Sequence, residues 1–230
     1  YITLEMAEER IAERIDANLL DVTMEDLHDM PHQLYDGKIK KLREKTQGQL
    51  IIKEYPTASA HSGHFKSLMN ELALKKSFRP DVIFIDYLNI CASSRFKGGN
   101  ISSYFYVKAI AEELRGLAVE FNVPIFSATQ TTRTGYVSTD IGLEDTSESF
   151  GLPATADFMF ALISNEELEA LGQMKVKQLK NRYNDPSINR AFIVGVDRSK
   201  MRLYDVQQKA QEIVDANQVD EKEDAYNKFS

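Results

Sequence analysis

Short unbroken apolar runs alternate along this chain with longer segments in which apolar residues recur every three or four positions. Residues 1–5 read as a strand, and 7–20 as a helix with Ile11, Ile15 and Leu19 on one face. A lysine-rich helix is expected over 31–46, opened by Pro31, a good first-turn residue. Residues 49–55 form a strand closed by Pro56, and 63–78 a helix with Phe65, Leu68, Met69 and Leu72 in register. Val82–Ile85 is a continuous apolar run ending at Asp86, and 93–101 is a loop of Ser, Gly and Lys. A long helix follows over 102–121 with Ile110, Leu114, Leu117 and Phe121 inward, then a buried strand from Pro124 to Thr129 and a loop over 131–151. Phe158–Ile163 is a strand, 165–171 a short helix, and 174–182 with 190–196 a hairpin around Asn184-Asp185-Pro186-Ser187.

Helices separating strands that do not alternate predict an α/β fold, a mostly parallel sheet covered by helices on both faces. Ligands of such sheets gather beyond the carboxyl ends of the strands. That rule singles out Glu5, Asp86 and Gln130.

The 230 residues suit one large domain, expected over 1–205, with a polar acidic tail from 206 that reads as flexible. No apolar run reaches the ~20 residues of a membrane span. No signal peptide is expected in the first fifteen positions, which already carry Glu5, Glu8, Glu9 and Glu13. Cys91 is the one cysteine, so an internal disulfide is excluded and a reducing, cytoplasmic setting is expected. The chain opens inside an apolar strand without an initiator methionine, and reads as a fragment of a longer protein.

The net charge of −7 at first argues against nucleic acid. Its distribution reverses that. Residues 1–30 carry nine acids and two bases and 211–230 six acids and two bases, leaving 20 acids against 24 bases between them. Within 173–209 nine bases face three acids. A local basic stretch suits phosphate even in an acidic chain, although a solvated charged surface would have the same composition.

Asp-Val-Ile-Phe-Ile-Asp (81–86) sets an acid at the end of four apolar residues, the arrangement that holds magnesium in nucleotide hydrolases. A strand ending on an aspartate that merely caps a loop gives the same pattern. His28 with His32, and His61 with His64, have helical spacing but no acid or cysteine completing a zinc set.

Five pieces occur in order: YITLEM, DVIFIDYLNI, PIFSATQ, DTSESFGLPATAD and QLKNR. With them the chain resembles the DnaB-like replicative helicases, and within these the helicases of large tailed phages of the T-even group. The resemblance runs from residue 1 to about 205. It implies a RecA-like ATPase domain, with a C-terminal β-hairpin, working with ATP and Mg2+ in a ring of six copies. The ring would unwind duplex DNA by travelling five-prime to three-prime on single-stranded DNA, in the cytoplasm of a bacterial host, with a primase and a helicase loader as partners and no membrane.

Carried over by position, Glu5 would polarise the attacking water and Asp86 would bind the magnesium. Gln130 would sense the γ-phosphate, while Lys180 and Arg182 would reach the neighbouring subunit's site, Arg182 as the finger. Without the resemblance, Glu5 is a strand-end acid, Gln130 a satisfied amide, and the two cations an exposed hairpin edge. In relatives the loops at 92–103 and 131–151 face the central channel, which makes Arg95, Lys97, Arg133, Ser147, Glu148 and Ser149 the expected DNA contacts. Ser147 stands where cellular relatives usually have arginine, and Phe150 where they have glycine. None of the eleven glycines is followed by another five positions on, so the phosphate-cradling loop is not in this sequence, and the piece alone is expected not to hydrolyse ATP. The alternatives are a RecA-type recombinase and a non-catalytic ring-assembly module. The acidic tail over 211–230 is either a docking segment for a partner or a solvated end.

Overall fold

The first sheet is four parallel strands in the order β2-β1-β3-β4, with β1 at Ile2–Thr3, β2 at Lys53–Glu54, β3 at Ile83–Asp86 and β4 at Ile125–Ser127. This is a computed structural model, and it describes residues 1–96, 101–131, 142–143, 151–185 and 188–206. Lys97, Arg133, Ser147, Glu148, Ser149 and the tail from 207 lie outside the described residues.

Each parallel step needs a crossover, and helices supply it. Helices α1 (Glu8–Leu20), α2 (Met24–His28) and α3 (His32–Lys45) lie between β1 and β2. Helix α4 (Ser62–Lys76) leads to β3, and α5 (Ser103–Phe121) leads to β4. The sequence reading missed α2. Its signal was present: Thr23 accepts from the Asp26 amide at 3.0 Å and donates to the Asp26 carboxylate at 2.7 Å, a reciprocal cap over three residues.

Ile2, Leu4, Ile83 and Ile85 point from the sheet into one apolar cluster with Phe65 and Met69 of α4 and Val107, Ile110, Leu114 and Leu117 of α5. Ile110 is 1% exposed. Ile110→Val should lower unfolding free energy by about 1 kcal/mol, read from the denaturant midpoint at unchanged slope.

Helices were expected on both faces of this sheet. Among the described residues α4 and α5 cover one face, and the other shows Tyr1, Phe84 and Phe126 as a stacked row with centroids 6.3 and 5.3 Å apart. Phe84 is 42% exposed between buried Ile83 and Ile85, so β3 is one-sided despite its unbroken apolar sequence.

The second sheet is antiparallel, in the order β5-β6-β7-β8: Phe158–Ile163, Gln173–Asn181, Ala191–Asp197 and Arg202–Asp205. The expected hairpin is its centre. The short helix Glu166–Ala170 joins β5 to β6, capped by the Asn165 carboxamide. Strand β8 was not expected, since its four residues are all exposed and carry no apolar period. Gly195 admits it: a Cβ there would come within 2.3 Å of the Tyr204 ring. The β7–β8 turn packs back on α1, where Asp21 pairs with Lys200 at 3.2 Å and Arg202 at 2.9 Å. No described helix is long and apolar enough to cross a membrane.

Candidate active site

Parallel pairing in register puts the carboxyl ends of β1, β3 and β4 on one rim. Thr3 pairs with Asp86, and Ile85 with Ser127. Backbone bonds continue the ladder past the strands, from the Leu4 amide to the Asp86 carbonyl at 2.9 Å and from the Leu88 amide to the Ala128 carbonyl at 3.2 Å. Asp86 therefore ends β3 on this rim, Glu5 follows two residues after Thr3, and Gln130 three residues after Ser127. Glu5 and Gln130 are exposed and Asp86 is half-buried.

Two tyrosines tie this rim together, and neither was singled out from sequence. The Tyr1 hydroxyl donates to Asp86 Oδ2 at 2.7 Å. Burial first, then the Asp86 carboxylate, raises the Tyr1 hydroxyl well above its ordinary range, so it stays a donor. Gln130 Nε2 donates to the Tyr87 hydroxyl oxygen at 3.1 Å, coupling the end of β4 to the residue after Asp86. Asn89 Oδ1 and Thr129 Oγ1, beside these residues in sequence, are buried and have no hydrogen-bond partner among the described residues.

Among the described residues no three His, Cys, Asp or Glu side chains gather as a metal cluster. A single half-buried carboxylate with unfilled acceptor capacity still suits magnesium, which is commonly held by one or two carboxylates with water and substrate phosphate completing its shell. Asp86 fits that donor set. The histidines serve structure: His61 Nδ1 accepts from the Gly63 amide at 3.0 Å, and His64 Nδ1 accepts from the His61 amide at 3.2 Å, capping α4.

Lys180 and Arg182, at the end of β6, fold onto their own chain. Arg182 Nη1 meets Asp157 Oδ1 at 2.6 Å, and Arg115 Nη1 of α5 meets Asp157 Oδ2 at 2.7 Å. Arg182 Nη2 also donates to the Ala154 carbonyl at 3.0 Å, and Lys180 Nζ to the Pro153 and Ala154 carbonyls. These carbonyls belong to the short helix Gly151–Thr155. Burial works against the Asp157 carboxylate, but Arg115 and Arg182 outweigh it and hold its carboxyl below the usual range. The pairing is thus complete at neutral pH and is lost as pH falls through that lowered value. Arg182 remains 40% exposed at the surface.

The loop after β3 begins at Ser93. Of the expected DNA contacts on it, Arg95 is described, and its guanidinium pairs with Glu112 at 2.5 Å. Glu113, the next residue of α5, accepts from the Ser93 hydroxyl at 2.6 Å, the Ser62 hydroxyl at 2.9 Å, and the Ser94 and Arg95 amides. Burial raises its carboxyl, and these donors more than reverse that, leaving it below the usual range. Cys91 is buried, its thiol pushed up to about 12 by burial first and Glu113 second, which makes it an inert core residue.

Comparison with known proteins agrees with the fold. Residues 1–185 match the family described as DnaB-like helicase C terminal domain. The DnaB-like replicative helicase of Enterobacteria phage T4 is 44% identical over 99% of this chain and 50% of its own length. A probable plasmid replicative DNA helicase of Chlamydia trachomatis is 33% identical over 58% of this chain and 28% of its own length. The chain thus spans about half the length, or less, of these relatives. Among solved structures, one described as an ATPase domain shares the fold at TM-score 0.72 and 16% identity, over 90% of this chain and 73% of that one. A DnaB-like replicative helicase studied with its primase gives TM-score 0.70 at 16% identity, over 90% and 50%. The match over residues 1–185, on a chain with this parallel sheet, establishes that it belongs to the DnaB-like helicase C-terminal domain family.

Proposed function

We propose that this chain is the larger part of an ATP-driven motor that, in the full-length protein, unwinds duplex DNA by moving along single-stranded DNA. The observation that supports the reading is the parallel pairing of β1, β3 and β4, with Asp86 at the end of β3, Glu5 two residues past β1 and Gln130 three residues past β4. In this reading Glu5 orients and polarises the water that attacks the γ-phosphorus. Asp86 would hold Mg2+, which when bound would supply charge to offset that on the substrate phosphates. Gln130, tied to Tyr87, reports the γ-phosphate to the β3 segment. Lys180 and Arg182 serve the site of the next subunit in a six-membered ring, where a guanidinium stabilises developing negative charge.

DNA is contacted by the loops over 92–103 and 131–151, through Arg95, Lys97, Arg133 and the polar residues Ser147, Glu148 and Ser149. The groups that grip the triphosphate are supplied from outside these 230 residues. A primase and a loader are the expected partners, and the host cytoplasm the expected compartment.

The test compares the full-length protein with this chain alone. The full-length protein should hydrolyse ATP with magnesium, faster with single-stranded DNA, and separate a forked duplex. The 230-residue chain should show neither activity. Strand exchange without unwinding by the full-length protein would contradict the motor reading, and turnover by the isolated chain would contradict the external phosphate grip.

A further inference from the structure

We propose that Glu113 is a positioning residue whose carboxylate clasps the stem of the loop after β3 and so fixes where that loop meets DNA. The second half rests on the DNA-contacting role given to this loop above; the clasp itself rests on geometry alone. An ionised carboxylate has about four acceptor directions, and Glu113 fills them with donors from two other segments. The Ser62 hydroxyl comes from the first turn of α4, and the Ser93 hydroxyl with the Ser94 and Arg95 amides comes from the stem. Helix α5 contributes further holds, from the Tyr106 hydroxyl, which accepts from the Ser93 amide at 3.1 Å, and from Glu112, which pairs with Arg95.

This is an unusual use of acid. Ser93 is 5% exposed, so its hydroxyl needs a partner, and Glu113 is the group that meets it. The stem is also continuous with the rim. It follows Asp86 through the single turn Leu88–Ile90, and that turn is bonded to the end of β4 through the Leu88 amide. A loop anchored this way keeps its offset from Asp86 when the nucleotide site changes.

The inference separates from ordinary electrostatics by its sign. An acid near a phosphate-binding loop repels DNA, so neutralising it should tighten binding. A clasp predicts the reverse, because releasing the stem withdraws the contact that Arg95 makes.

The experiment uses the full-length protein with Glu113→Gln, Ser93→Ala and Arg95→Ala, and a labelled oligothymidylate as the probe. Glu113→Gln should weaken affinity about tenfold. It should also flatten the dependence of log affinity on log salt by about one, although it removes no cation. Trypsin cleavage after Arg95, followed by mass spectrometry, should speed up. Ser93→Ala, which deletes the shortest of the bonds, should move each readout the same way and keeps the test open if Glu113→Gln does not fold. Binding that is unchanged or tighter in both variants would overturn the positioning role. Unchanged cleavage in both would overturn the clasp. If cleavage speeds up while Arg95→Ala binds like wild type, the clasp stands and the DNA-contacting reading of this loop falls.

Discussion

Replacing Asp86 with asparagine in the full-length protein should lower ATP turnover by about 10³-fold. The strand should survive the change. Asp86 sits at the end of β3, half-buried, and among the described residues its side chain accepts a hydrogen bond from Tyr1, which an asparagine oxygen can still accept, though more weakly. What is lost is the negative oxygen suited to a hard cation. The diagnostic is therefore a collapse of kcat with little change in thermal midpoint, measured over a magnesium titration. Full activity of Asp86→Asn at saturating magnesium would remove this residue from the site.

Arg182→Ala should cost about 10³-fold in kcat in the assembled ring. The pairing of Arg182 with Asp157 does not stand against this role. An exposed ion pair holds about 0–1 kcal/mol, and its bond to the Ala154 carbonyl adds about 1 kcal/mol. Stabilising charge on a phosphoryl in transfer is worth about 4 kcal/mol or more, so the guanidinium gains by exchanging its own aspartate for a neighbour's phosphate. Arg115 keeps Asp157 paired when Arg182 leaves, so the exchange strands no carboxylate. Arg182→Lys should recover only part of the rate, because an ammonium lacks the planar fork. Wild-type kcat in Arg182→Ala rings would dismiss the assignment.

Much of this architecture was legible because burial leaves a periodic trace. The apolar run from Val82 to Ile85 announced β3 and placed Asp86 at its end, and the three- and four-residue spacing of Ile110, Leu114 and Leu117 announced α5 and its inner face. The shared rim followed from these, since parallel strands have all their carboxyl ends on one side. Helix α2 and strand β8 escaped because five residues with only Met24 and Leu27 partly buried, and four exposed ones, are too few to set up a periodicity. The face carrying Tyr1, Phe84 and Phe126 is partly covered among the described residues, with Phe84 42% and Phe126 48% exposed, a degree of cover that an unbroken apolar run does not report.

Side-chain partnerships were not legible at all. Tyr1 and Asp86 are 85 positions apart in the chain. Asp157 joins Arg115 to Arg182, and although it closes the piece DTSESFGLPATAD, nothing in the sequence pairs it with either arginine. Glu112 and Glu113 are acids of α5 that no motif in the sequence singles out, yet both bond the loop after β3. Periodicity reports which face of an element is covered. Which groups meet there depends on register and on turns, and these are set by the whole fold.

Mixing two inactive full-length proteins, one carrying Glu5→Gln and the other Arg182→Ala, tests most directly whether the rim of one subunit is served by the arm of the next. At equal ratio and random assembly, about one interface in four pairs an intact Glu5 with an intact Arg182. Recovery of about a quarter of wild-type ATP hydrolysis is the predicted result. A mixture no more active than either protein alone would contradict it.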